Sequence, residues 1–188
     1  MLAFIDAVGG KLPDISAHFV ADSRKNGGSL FRIYRDVRFS KDKSPNKTQA
    51  GVHFRHEEAK SAYAPGFYLH LEPGNVFAAA GIWHPDTPSL NKIRKGIDEN
   101  QETWIQEKNN AEFKKVFQLE GESLVRSPRG YDKDHPLIAD LRRKDFIAVC
   151  HLTQKKVLSP NFLEDYMAKC AGASGFMHFL TNAMELPY

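Results

Sequence analysis

The chain has 188 residues, 41% hydrophobic and 26% charged, with a formal net charge of +3, a balance that excludes disordered, collagenous and disulfide-stapled chains and suits one domain with a sizeable core. The longest apolar run covers positions 76–83, far short of the roughly 20 residues of a spanning helix, and Cys150 and Cys170 match neither a disulfide framework nor a zinc or CxxC pattern. The charge is uneven: residues 32–47 hold six basic side chains against Asp36 and Asp42, a local net of +4, which leaves −1 for the rest.

The start, LAFIDAVGG, reads as an apolar helix ended by Gly9 and Gly10, followed by a helical turn after Pro13. It lacks a basic leader and carries Asp6 within the apolar run, so no secretory signal is expected. A cytoplasmic protein with two reduced thiols is the expectation. SLFRIYRDVRF alternates, with Phe31, Ile33, Arg35, Val37 and Phe39 on one side and Arg32, Tyr34, Asp36 and Arg38 on the other. A loop rich in Lys, Asp, Ser and Pro follows. Then AGVHFRH sets Val52 and Phe54 against His53 and Arg55, and GFYLHLEPG sets Phe67, Leu69 and Leu71 against Tyr68, His70 and Glu72. NVFAAAGIW continues as a strand poor in bulky side chains, and turn signals such as EPGN make a four-stranded antiparallel meander the economical arrangement.

The second half reads as helical. Asp86 or Thr87 can cap a helix with Pro88 in its first turn and Leu90, Ile93 and Ile97 on one face. QETWIQEKNNAEFKKVF gives one or two short helices, LEGESLVRSPRGYDKDHP an extended loop, and LIADLRRK a further helix. DFIAVCHL is the one late strand, expected to be buried on both faces. The end is a helix pair hinged at Gly172 to Gly175. The expectation is a single α+β domain over residues 1–188, a meander plus one late strand, packed with helices mainly from the C-terminal half.

If the first three strands pair in order, one face collects Arg32, Tyr34 and Arg38, then His53 and Arg55, then Tyr68, His70 and Glu72, with register left open. Two readings of that face stand: the wet side of an antiparallel sheet, or a site in which His70 and Glu72 move protons while arginines hold an anion. The basic segment has two readings as well, a solvated turn or a phosphate site formed by Arg32, Arg35, Arg38, Lys41, Lys43 and Lys47. The loop Arg126 to Pro136 adds Arg129 and His135 as candidate ligand-binding residues, with Asp134 read as a cap. Trp83, beside His84 at a strand end, reads as core or rim packing.

Sharper motifs fail. The SxxK pairs Ser40–Lys43 and Ser44–Lys47 lie in a loop that does not open a helix. HFRHEE is not HExxH, and on a strand His53 and His56 fall on opposite faces. HLE is followed by no PCxxC, and neither a Walker loop nor GxGxxG occurs. No metal and no cofactor is expected.

Taken in order, LFRIYRDVRFSKDKSPNKT, GFYLHLEPG, GIWHPD, LNKIRKGID, GESLVRSPRGYDKDHP and LRRKDFIA resemble the conserved hypothetical family called domain of unknown function 2461, from near the N-terminus to the last helices. The resemblance implies a shared α+β fold and brings no activity, cofactor or catalytic residue. Asn46 stands where that family usually has a tyrosine, and a longer initial helical segment with an Asn-Asn-Arg-Trp-Phe-like motif has no counterpart. The first helix is therefore expected to be shortened.

The leading functional expectation is a site for a phosphate-bearing ligand, a nucleotide or a nucleic-acid backbone, with His70 and Glu72 as acid and base in an enzymatic version. The alternative is a non-catalytic module that docks an acidic protein or nucleic acid.

Overall fold

Alternating side chains in the first half become three antiparallel strands, β1 (Ala50–Arg55), β2 (Gly66–Glu72) and β3 (Asn75–Ile82), in a computed structural model that describes residues 1–34, 46–58 and 64–188. Glu72 pairs with Asn75 across the β2–β3 turn, where Pro73 presets its own φ and Gly74 takes φ +81, a value costly for any side chain but glycine. After a helical excursion, β5 (Phe146–Leu152) returns antiparallel to β3, and the short β4 (Gln118–Glu120) pairs with its other edge. The sheet order is β1-β2-β3-β5-β4.

The helices are α1 (Leu2–Gly9), α2 (Thr87–Glu99), α3 (Gln101–Asn109), α4 (Ala111–Val116), α5 (Ile138–Leu141), α6 (Gln154–Val157), α7 (Phe162–Gly172) and α8 (Ser174–Ala183), with a 3-10 turn at Leu12–Asp14. Asp86 caps α2 by accepting from the Ser89 amide at 2.9 Å, with proline in the first turn as the sequence suggests. One sheet face carries Val52, Phe54, Phe67, Leu69, Ala78, Ala80, Ile82, Phe146 and Ala148, all buried. Ile93, Ile97, Trp104, Tyr166, Met177 and Leu180 from α2, α3, α7 and α8 share that core. Ala78 and Ala80 let α7 and α8 approach β3 closely. Gly96 does the same between α2 and α8, where an added Cβ would lie 2.7 Å from the Ala183 Cβ.

The α+β class, the antiparallel meander and the late strand agree with the sequence expectation. β5 is buried along its middle, at Ala148, Val149 and Cys150. Two details differ. The expected first strand is represented, among the described residues, by isolated bridges from Leu30 to Val52 and from Tyr34 to Asn46, while positions 35–39 of it lie outside the described residues. β4 arises at the start of the segment read as loop, because three residues are too few to show a period.

Candidate functional site

The meander register answers which polar residues become neighbours. His53 pairs with Tyr68 and Gly51 with His70. Tyr68 in turn pairs with Ala79, and His70 with Phe77. These side chains stand on the face opposite the helix-packed core, and among the described residues no helix lies against it.

A cavity of about 280 Å³ opens on this face. Its walls are Phe31, His53, Tyr68, Phe77 and Trp83, its floor includes Gly66, Ala79 and Gly81, and Ile147 and Val149 close one side. The floor is hollow because its residues are glycine and alanine; at Gly81, which takes φ +129, an added Cβ would collide with the Phe146 carbonyl oxygen. Two glycines also seat the wall rings. A Cβ on Gly66 would collide with His53 Nε2, and one on Gly51 would lie 2.5 Å from the Tyr68 hydroxyl.

Burial, with a smaller contribution from Arg55, pushes His53 down to about 4, so its imidazole is neutral at physiological pH. Burial likewise pushes the Tyr68 phenol up. The Tyr68 hydroxyl lies 3.1 Å from His70 Nδ1, and His70 Nε2 lies 3.4 Å from Glu72 Oε2. Thr48 Oγ1 donates to Glu72 Oε1 at 2.8 Å. Hydrogen bonds from Thr48, then from His70, hold the Glu72 carboxyl below the usual carboxylate range. One tautomer satisfies both neighbours of His70: Nε2–H donates to Glu72 and Nδ1 accepts the tyrosine hydroxyl. The ring is 7% exposed and stacks on Phe77 at 4.7 Å and 12°.

At the rim, Trp83 is 56% exposed and stacks on His84 at 4.2 Å. His84 adopts φ 49, a left-handed conformation for a non-glycine residue. Asp145, which is 1% exposed, holds it there. One carboxylate oxygen accepts from the His84 amide at 2.8 Å and lies 2.9 Å from His84 Nδ1, and the other accepts from the Glu122 amide at 2.9 Å.

The structure brings His70 and Glu72 together, and adds Tyr68 and Thr48 to them. It does not bring Arg32 to this face by the expected alternation. Leu30 bridges Val52 on the core side, so Phe31 turns to the other face, with ring centroids 6.2 Å from His53 and 6.0 Å from Tyr68. Arg32 and Tyr34 are exposed beside it. Lys47 is also exposed, and its amide donates to the Ile33 carbonyl at 2.7 Å. Arg35, Arg38, Lys41 and Lys43 lie outside the described residues.

Arg129 is exposed on the loop between β4 and α5. His135, on the same loop, points Nε2 at Asp98 of α2 (3.0 Å) and accepts the Leu137 amide on Nδ1 (3.0 Å). It thereby fixes the entry to α5 on the helix-packed side, away from the cavity. Burial pushes both thiols up, that of Cys170 to about 12, which leaves neither primed as a nucleophile. Among the described residues, no group of three or more His, Cys, Asp or Glu side chains could hold a metal ion, and no helix is long and apolar enough to cross a membrane.

Sequence reasoning missed Phe31, Phe77 and the Asp145–His84 pair as parts of this site. The one available signal was the run of small residues in NVFAAAGIW, which marks either a tight helix contact or a hollow floor. A family model described as conserved hypothetical protein (DUF2461) matches residues 1–179. No curated protein and no solved structure matches the chain.

Proposed function

The chain belongs to the conserved hypothetical family DUF2461, and we propose that this member binds a small ligand made of a flat ring and a phosphate, a nucleotide being the simplest case. The ring enters the cavity on the helix-free face, and the phosphate meets the basic segment that begins at Arg32. The observation that carries this reading is the hollow floor of Gly66, Ala79 and Gly81 enclosed by aromatic rings. Binding cavities are typically apolar and aromatic, with few polar groups to orient the ligand. Here the polar residues of the lining include the neutral His53 and Tyr68. Aromatic walls bind any base by its π-face, which suits a ring without fixing its identity.

Phosphate attraction is the second half of the reading. Arg32 and Lys47 are exposed next to Phe31 and Thr48, residues of the cavity wall and of the Glu72 cluster respectively. Affinity that depends on such contacts falls as salt rises.

The test is a titration with mononucleotides, inorganic phosphate and short single-stranded oligonucleotides at low salt, followed by tryptophan fluorescence and thermal unfolding. Trp104 is fully buried and Trp83 exposed, so quenching should vanish in Trp83→Phe. Mononucleotides are expected to quench and to stabilise, less so at high salt. A flat response to all three, or quenching that persists in Trp83→Phe, overturns the reading.

A further inference from the structure

The polar row along β2 meets the cavity at one residue. Tyr68 lines the cavity, and its hydroxyl is also the group that bonds His70 at 3.1 Å. Phenol, imidazole and carboxylate follow at every second position of a single strand, so the backbone itself places all three on one face at neighbouring distances. Resting on the ligand site proposed above, we propose that Tyr68 is a base-activated nucleophile toward a tetrahedral phosphorus or sulfur centre carried by a ring in the cavity.

Each partner has a defined task. The Tyr68 oxygen forms the new bond to phosphorus or sulfur, and the bond to the leaving group breaks, the leaving group taking that electron pair. The phenolic proton passes to His70 Nδ1. Glu72 accepts from His70 Nε2–H, which fixes the tautomer and stabilises the imidazolium that results, the arrangement in which a carboxylate and an imidazole activate a hydroxyl.

Three observations favour this over a passive ladder of hydrogen bonds. His70 is nearly buried and held flat against Phe77, so Nδ1 is aimed and partly dry. Gly51 leaves the space under the hydroxyl that any other residue would occupy. Tyr68 is also, among the described residues, the one tyrosine whose hydroxyl bonds an imidazole. Burial keeps the phenol protonated at rest, so attack needs the base beside it.

Benzenesulfonyl fluoride tests the proposal directly, since its ring fits the cavity class and its sulfur carries fluoride as the leaving group. Adducts are mapped by peptide mass spectrometry, with Tyr34, 71% exposed, as the internal reference. Tyr68 is expected to be labelled at least about tenfold faster than Tyr34. His70→Gln should slow that labelling by about a hundredfold, the scale of general-base assistance, and Glu72→Gln by a smaller factor. Labelling of Tyr68 no faster than Tyr34, or unchanged in Glu72→Gln, overturns the proposal. Glu72, whose side chain is 28% exposed, also decides the matter should His70→Gln fail to fold.

The unreactive benzenesulfonamide separates the two readings through Trp83 fluorescence. Binding without labelling leaves the cavity and refutes the nucleophile, whereas neither binding nor labelling refutes both.

Discussion

Replacing Asp145 by alanine should be among the most damaging single substitutions near the cavity. The carboxylate is 1% exposed and accepts the amides of His84 and Glu122 at 2.8 and 2.9 Å. Hydrogen bonds to a charged group contribute about 1.5–3 kcal/mol each, and a buried donor left unpaired costs its desolvation. Two lost amide partners therefore give roughly 3–6 kcal/mol. Part returns, because His84 no longer has to hold φ 49, a conformation that costs about 1–3 kcal/mol. The net expectation is a loss of about 2–3 kcal/mol. For a chain of this length each kcal/mol moves Tm by about 2–4 °C, so calorimetry should show a fall of roughly 4–12 °C.

Asp145→Asn keeps one acceptor oxygen. Whichever way the amide turns, an N–H of the side chain faces a backbone N–H, so about half of the loss should remain. Both variants should also change Trp83 emission, since its stacking partner is released. A loss below about 1 kcal/mol in Asp145→Ala, the range of an ordinary surface position, would refute the account of this carboxylate as the clamp between β3, β4 and β5.

His53 predicts an acid-side loss of stability. Its folded value is about 4 against an ordinary 6.5, so the neutral form favours the folded state above pH 6.5 and that advantage is lost as pH falls toward 4. The full difference corresponds to on the order of 3 kcal/mol. Urea unfolding should show the wild type losing more than His53→Gln between pH 7 and 4, and parallel curves would refute it. Glu72 titrates below its ordinary value chiefly through Thr48, so its contribution is present above that value and fades as pH falls. Thr48→Val should raise the Glu72 carboxyl toward the ordinary value in an NMR titration, and an unmoved titration would remove Thr48 as the cause. Ala79→Leu should fill the cavity, abolish ring binding and change stability by under about 1.5 kcal/mol, whereas Ala78→Leu should overpack the helix layer and cost about 1–3 kcal/mol. Equal effects in denaturant unfolding would contradict the assignment of the two faces.

Alternation exposed β1 and β2 in the sequence, the EPGN turn signal and a run of small apolar residues marked β3, and a continuous apolar run marked β5; alternation also put Tyr68, His70 and Glu72 in one row before any register was known. It failed at Phe31 for a physical reason. A period of two divides a segment into two faces without saying which one meets the core, and the arginines made the side of Arg32 look like the polar one. The bridge from Leu30 to Val52 reverses that choice. The Asp145 clamp was out of reach for a different reason. Its partner His84 lies 61 positions away, and nothing local to either residue records the pairing of β3 with β5. His135, conspicuous in the sequence, contacts Asp98 and the Leu137 amide, partners that nothing local to its loop announces.

β3 is where the fold and the candidate site meet. Its even positions Ala78 and Ala80 are small because helices press on them, and its odd positions Ala79 and Gly81 are small on a face where no described helix packs. Packing explains the first pair, because a larger side chain would push α7 and α8 away. Backbone geometry explains Gly81, which takes φ +129 and whose added Cβ would collide with the Phe146 carbonyl oxygen, but neither reason covers Ala79, for a strand face free of helices gains from β-branched or aromatic residues. Leaving alanine at position 79 forgoes that stabilisation while Phe31, Tyr68, Phe77 and Trp83 stand around the gap. A larger residue at position 79 would have closed much of the hollow, and its absence is the physical ground for reading that face as a binding surface.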